Sequence, residues 1–547
     1  MSKSVSLRRT QIIVAFLALL LFVPFLGSVR LFDWDEINFA EAAREMIVTG
    51  DYLHVQIDYQ PFYEKPPLFI WLQAVSMHIF GVNEFAARFV NAVVGAATLI
   101  ILYTIGASRR GHRFGILWAA AMIGSLLPHF YFRSGIIDPL FNLFIFLSVY
   151  WMMRSMEGVP RAALWAGILS GCAVLTKGPV GWGLAMLVTA LVWFFHRRMM
   201  PLPWKQVLIA TALMLGVNAL WYGADLAQNG TRFIAENITY QIRLLTTGDA
   251  GHEQPFWYHT VVILVGCYPV SILALSKRAW MRDTVQVDTM RIWMIALFIV
   301  TLVVFSVVKT KIIHYSSLTY LPLTYLAAVT LDSWLAGRDV WPRWRTITLA
   351  VHAVLLASAL AAVPWLAMHT QDLLALPTFK DTFLRSSLQQ QVAWGGWEVW
   401  IPLVLLAGPL AIILWRRSHP ARAVGVLFAS VAVLVFLVLP SIAPKIEPYT
   451  QGAALDFYES LRGKDVYVKP LTMKSYAHIY YTDKPYHLSA TAKGIHPDQF
   501  EPWLLNGAID RDAYFVAKVN DAKKWRTHPN LEVVREYGGF VVLKRKR

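Results

Sequence analysis

The sequence FDWDEINFAEAAREM, residues 32–46, sets Asp33, Asp35, Glu36, Glu41 and Glu45 immediately after a hydrophobic run. Carboxylates there can take a proton from a nucleophile, balance a positive charge that develops during reaction, hold a cation, or pair with a neighbour. Asp33 with Glu36 three residues on forms a capping-box-like pattern, and Glu41 and Arg44 are spaced to pair along a helix. Part of the cluster is therefore structural, which leaves Asp35 and Glu36 as the candidates for catalysis.

Lysines supply the complementary charge. Lys65 precedes two prolines in FYEKPPLFIWLQAV, Lys177 precedes Gly178 and Pro179 in VLTKGPVGWG, and VVKTKIIHY carries Lys309 and Lys311. Proline favours the first helical turn and disfavours helix in the residue before it, so Lys65 and Lys177 are expected just ahead of helix N-termini. Free N–H groups and the positive dipole end collect at such a terminus, and a lysine added to it makes an anion site. For any one of these lysines, snorkelling to the interface is the simpler account. Several on one side of a membrane favour a bound lipid phosphate.

Further polar groups fall nearby. Arg133 and Asp138, both candidates for binding the donor, flank the short turn in YFRSGIIDPLF, where Asp138 before Pro139 is equally an ordinary helix-start residue. The stretch ITYQIRLLTTGDAGHEQPFWYH offers Arg243, His252, Glu253, Trp257 and Tyr258, whose aromatics also suit an interfacial belt. A divalent metal ion held by Asp35, Glu64 or His252 stays open, although no ligand spacing marks it. Cys172 and Cys267 lie in apolar runs and carry no expected role.

Positioning these groups requires a membrane-embedded scaffold. The 547 residues are 56% hydrophobic and 15% charged, with repeated apolar runs long enough to cross a bilayer core. The spans expected are 11–31, 85–108, 114–131, 138–153, 162–176, 179–195, 205–222, 258–275, 291–308, 312–331, 345–367, 398–415 and 421–440. Thirteen crossings put the termini on opposite sides. With Lys3, Arg8 and Arg9 inside, the basic clusters at 109–113, 154–161, 196–205, 276–282, 338–345 and 415–422 all fall inside. The formal charge of +16 is thus read as topology, and nucleic acid is not expected as a partner.

The outer side then receives 32–84, 223–257, 368–397 and everything after about 441. In that last segment KDVYVKP, HIYYTDKPYHL, DAYFVAKV and LEVVREYGGFVVLKRK read as short strands. The expected architecture is an all-α polytopic membrane domain, residues 1–440, followed by a small periplasmic α/β domain, residues 441–547.

The motifs DWDEINFAEAAREMIVTGDY, PFYEKPPLFIWLQAVSMHIFGVNEFAARF, LTKGPVG, HEQPFWYH and FSVVKTKIIHYSSLTYLP resemble, in order and over nearly the whole chain, the bacterial GT-C glycosyltransferases of the protein mannosyltransferase-like group. The aminoarabinose transferase branch that modifies lipid A is the most similar. The resemblance implies an inner-membrane enzyme that moves a sugar from a polyprenyl phosphate to a periplasmic acceptor such as lipid A. It implies Asp35 as catalytic carboxylate, Glu64 and Lys65 in the donor pocket, Lys177 and Arg243 on the lipid phosphate, and Asp138 in support. Ile37 and Asn38 replace polar residues of the DETRYAE-type segment, and KTKIIHYSSLTYLP departs from KGKLPTYILP, so the sugar and acceptor stay open. A protein O-mannosyltransferase and a lipid-linked sugar flippase are the rival readings. Charges gathered at one face, rather than at mid-membrane on broken helices, favour chemistry over transport.

Overall fold

The structure, a computed structural model, describes residues 2–197, 204–247, 253–281, 288–376 and 380–546. Among these residues, six helices are long and apolar enough to cross a membrane: Glu84–Arg110, Trp204–Asn229, Thr289–Val307, Arg343–Met368, Trp397–Trp415 and Pro420–Ser441. Leu68–Phe80, Ala162–Lys177 and Val180–His196 are shorter apolar helices.

Several expected spans are interrupted, each for a local reason. The first helix, Ser2–Phe22, stops short of the expected 11–31 because Pro24 cannot continue it. The run 114–131 divides into His112–Ile123 and Leu126–Tyr131 around Gly124, where a side chain would collide with Phe428. Pro269 separates Tyr258–Gly266 from Val270–Ala274 within 258–275. The runs 312–331 and 398–415 each begin as a 3-10 helix, Ile313–Thr319 and Trp397–Leu406, before becoming α-helical. Hydrophobicity alone cannot distinguish an unbroken span from a broken one whose freed backbone groups are buried in protein.

One end of the bundle collects basic loops and the few acids that answer them. Arg109 pairs with Glu157 at 2.5 Å, Arg113 with Asp332 at 2.8 Å, Arg338 with Asp332 at 2.7 Å, and Arg110 with Asp288. Asp35, Lys65, Asp138, Lys177 and His314 gather elsewhere, around a single cavity.

The C-terminal segment forms a mixed four-stranded sheet in the order Tyr467–Pro470, Ala513–Lys518, Phe540–Arg545, Leu531–Tyr537, with the first pair parallel and the others antiparallel. Gly538 and Gly539, both at positive φ, make the tight turn of its hairpin. The expected strand HIYYTDKPYHL is instead the helix Ala477–Thr482 and a 3-10 turn at Tyr486–Leu488. Ile479, Tyr480 and Tyr481 of that helix are buried in an apolar core shared with Ile37, Ala43, Met46 and Ile70 of the first loop. Packing against the loop overrides the β-propensity of the tyrosines. Ion pairs extend the contact: Arg30 meets Glu447 at 2.8 Å and Glu459 at 2.8 Å, and Lys484 meets Asp58.

Candidate functional site

Asp35 opens the helix Asp35–Thr49, so its carboxylate stands beside the unsatisfied amides of a helix start. The capping box expected from Asp33 and Glu36 does not form: the Asp33 carboxylate accepts from the Trp34 N–H at 2.9 Å and Glu36 from the Phe32 N–H at 2.9 Å. Glu41 and Arg44 do pair, at 2.6 Å and fully buried.

A second element brings in a residue that sequence reading passed over. After Lys311 the chain turns into the 3-10 helix Ile313–Thr319, and His314 in its first turn sets Nε2 3.0 Å from Asp35 Oδ2. The same nitrogen lies 3.8 Å from Asp138 Oδ2. Asp138 is the first residue of Asp138–Met156, is buried, and accepts at Oδ1 from Lys177 Nζ at 2.6 Å. Asp35, His314, Asp138 and Lys177 thus form one connected chain of ionisable side chains.

Lys177 ends the helix Ala162–Lys177, and Val180–His196 begins only after Gly178 and Pro179. It therefore lies between a helix end and a helix start, rather than ahead of an N-terminus alone. Gly178 makes this turn at φ +93°, a conformation that side chains rarely adopt. Lys65 fits the expectation, preceding Leu68–Phe80. Its ammonium is 3.3 Å from the Tyr240 hydroxyl and 4.6 Å from that ring's centre.

These groups surround a cavity of about 420 Å³. Its wall includes Phe32–Glu36, Glu64, Lys65, Ser134, Lys177, Tyr240, Leu244, Thr310, His314, Tyr315 and Lys474. Enclosure by protein works to raise the pKa of Asp35. The His314 hydrogen bond and the charges of His314, Lys65 and Lys177 outweigh it and hold the carboxyl well below the usual carboxylate range.

Not every expected residue takes the part foreseen for it. Glu36 is buried and committed to Arg88, at 2.7 and 2.9 Å, and to the Gly135 N–H, so its oxygens are taken up structurally instead of serving as a second catalytic acid. Arg133 turns away from the cavity: it donates to the carbonyls of Leu21, at 3.0 Å, and Pro24, closing the end of the first helix instead of binding donor. Arg243 is exposed on the helix Arg232–Thr246, and its guanidinium lies 5.3 Å from the Tyr240 ring, outside the cavity wall. Lys311 is buried and Lys309 exposed.

His252 lies outside the described residues. Among those described, no three His, Cys, Asp or Glu side chains stand together as metal ligands. The surroundings of Asp35 do not suit a divalent cation, because an imidazole already meets Oδ2 and the positive charges of Lys65 and Lys177 act on the carboxyl.

His314, Tyr240, Tyr315, Trp34 and Lys474 escaped the sequence reading. The sequence carries a signal for His314, which follows Lys311 by three residues in VVKTKIIHY. Lys474 had none, since nothing local ties residue 474 to residue 64.

Residues 64–222 match the family model described as dolichyl-phosphate-mannose-protein mannosyltransferase. The chain is 25% identical over 279 residues to the undecaprenyl phosphate-α-4-amino-4-deoxy-L-arabinose arabinosyl transferase of Pectobacterium atrosepticum, covering 49% of each chain. It is 27% identical over 266 residues to its counterpart in Pseudomonas aeruginosa PAO1, covering 45% of this chain and 46% of the relative. The chain spans about half the length of the curated relatives it matches. In structure it is similar to ArnT from Cupriavidus metallidurans bound to undecaprenyl phosphate, with TM-score 0.76, 18% identity and 97% of both chains covered. A looser likeness, TM-score 0.51 at 10% identity, covers 94% of this chain and 70% of the archaeal oligosaccharyltransferase AglB from Archaeoglobus fulgidus. The chain has the GT-C fold, and it resembles the aminoarabinose transferases.

Proposed function

We propose that this integral membrane protein is a glycosyltransferase that moves a sugar, with 4-amino-4-deoxy-L-arabinose as the candidate, from undecaprenyl phosphate to lipid A or another periplasmic glycolipid. The observation that carries the reading is the Asp35 carboxylate, 3.0 Å from His314, facing a cavity whose wall also holds Lys65 and Lys177. The likeness in sequence to arabinosyl transferases and in fold to a lipid-phosphate-bound ArnT supports it.

In the proposed reaction an acceptor oxygen forms a bond to the anomeric carbon as the bond from that carbon to the lipid phosphate breaks. The electron pair leaves on the phosphate, and Lys65 and Lys177 neutralise it. Asp35 is held below the usual carboxylate range and already has Oδ2 engaged by His314 at 3.0 Å, which makes it a weak proton acceptor. This favours an acceptor that arrives ionised, such as a phosphate of lipid A, over a hydroxyl that must be deprotonated. Asp35 then balances positive charge developing at the anomeric carbon or carried by an amino sugar. Asp138 holds Lys177, and with His314 it fixes the direction of Asp35. Glu64 lines the same cavity, Arg243 is assigned to the lipid phosphate, and a divalent metal ion, where one is bound, would be held by Glu64 with His252.

The accompanying topology has thirteen crossings in the bacterial inner membrane, with the N-terminus cytoplasmic and the site periplasmic. Residues 1–440 are the membrane domain, and 441–547 are a periplasmic domain. The basic loops paired at one end of the bundle support this orientation.

The test is transfer in proteoliposomes from a panel of undecaprenyl-phosphate sugars to lipid A. Labelled lipid A with wild type, and its loss in folded Asp35→Asn, supports the reading. A wild type that labels a protein acceptor instead points to the mannosyltransferase alternative, and one that only carries the donor across the bilayer ends the transferase reading.

A further inference from the structure

Trp34, immediately before Asp35, has φ +79° and ψ −111°. A bulky residue in that region is strained and persists only where surrounding structure holds it. Here the holding groups come largely from the C-terminal segment. Gln451 accepts from the Asp33 N–H at 3.3 Å and donates to the Leu31 carbonyl at 2.9 Å, and Ser475 hydrogen-bonds the Asp33 side chain. The strain keeps a large indole on the cavity wall, 40% exposed, where a buried position or a small residue would be the less costly arrangement.

Beside it stands a cation that the bundle does not supply. Lys474 places its ammonium 5.6 Å from the Trp34 ring centre and 3.9 Å from Glu64, on the wall of the same cavity, with its side chain 53% exposed. So loose and exposed a pair is weak and readily exchanged for a better partner. Lys177, by contrast, is committed to Asp138 at 2.6 Å. The cavity therefore has two differently built cationic regions: one tied to the ionisable chain through His314, the other formed where the C-terminal segment meets the strained turn.

We infer that Trp34 and Lys474, with Glu64, form an acceptor subsite for a phosphorylated sugar headgroup. The indole face packs on the apolar face of the sugar ring, Lys474 pairs with the phosphate, and Glu64 receives a ring hydroxyl or amine. This rests on the proposed glycosyl transfer and deepens it. The donor phosphate goes to Lys65 and Lys177, and the C-terminal segment selects the acceptor. An anionic acceptor held there sits in the same cavity that Asp35 lines, and Trp34 is its immediate neighbour in the chain.

The experiment measures equilibrium binding of bisphosphorylated lipid A and of its dephosphorylated form to the full chain in nanodiscs, without donor, for wild type, Trp34→Ala, Trp34→Phe, Lys474→Gln and Lys65→Ala. Expected are a loss of about tenfold with Lys474→Gln that falls only on the phosphorylated ligand, and a loss of about tenfold with Trp34→Ala on both, largely restored by Trp34→Phe. Lys65→Ala leaves acceptor binding unchanged and raises the donor KM in the transfer assay. Lys474 is exposed, so its variant stays informative even where Trp34→Ala relaxes the turn. Wild-type binding that is absent, or that is unaltered in Lys474→Gln and Trp34→Ala, overturns the subsite. Transfer that persists alongside such a result leaves the glycosyltransferase reading standing. Binding that behaves as expected without any transfer leaves the subsite standing and removes that reading.

Discussion

Asp35 shows how a single residue gains its character from neighbours distant in sequence. Its depressed pKa comes from His314, Lys65 and Lys177 acting against burial. The sign follows: the group is ionised above its ordinary unfolded value, and the stabilisation it contributes is lost only as pH falls through the lower folded value. A transfer profile for wild type is therefore expected to show no acid limb from Asp35 anywhere near neutrality. A limb between pH 5 and 7 that disappears in Asp35→Asn contradicts that assignment. Asp35→Asn itself keeps the shape and removes the charge, and kcat is expected to fall by about 10²- to 10³-fold in a protein that still folds, with the thermal transition lowered by the lost charge interactions. Glu36, its neighbour, is expected to behave in the opposite way. Glu36→Ala leaves Arg88 buried without its carboxylate, a change that costs about 3 to 5 kcal/mol and is read in thermal unfolding before any effect on turnover.

At the scale of elements, the site is assembled from helix ends. Asp35 and Asp138 begin helices, Lys177 ends one, Lys65 precedes one, and His314 lies in the 3-10 turn that opens another. Breaks between the apolar helices are what allow polar backbone and side chains to face one cavity. Lys65→Ala and Lys177→Ala are expected to raise the donor KM, each by about tenfold, if the ammonium groups contact the lipid phosphate. Arg133→Ala tests the reassignment of that residue. It frees the carbonyls of Leu21 and Pro24, so it is expected to lower the unfolding temperature and leave the donor KM unchanged. A raised donor KM in a stable Arg133→Ala returns it to the donor site.

Taken whole, the molecule joins its two ends. Arg30, at the exit of the first helix, meets Glu447, Asp456 and Glu459, and the first loop shares an apolar core with residues 453–542. Removing residues 441–547 exposes Ile37, Ala43, Met46 and Ile70 and releases the turn that carries Trp34. A chain ending at 440 is expected to show rapid proteolysis within 32–84 and no transfer, even where the helical bundle remains inserted. A protected loop in that truncated chain means that the C-terminal segment is a passenger rather than a support.

What the sequence by itself determined is the material that short-range physics writes into it: apolar runs long enough for a bilayer, basic loops, prolines ahead of helices, and the placing of Lys65 and Asp138 at helix starts. These depend on periodicity, charge and local backbone preference, which a linear reading carries. Tertiary structure alone decided which carboxylate stays open and which is spent on an arginine: Glu36 lies 52 positions from Arg88, while Asp35 meets a histidine nearly 280 residues away. It also decided that HIYYTDKPYHL becomes helix and that Lys474 reaches the cavity. Each of those outcomes depends on a partner brought close by packing, and neither spacing nor composition specifies such a partner.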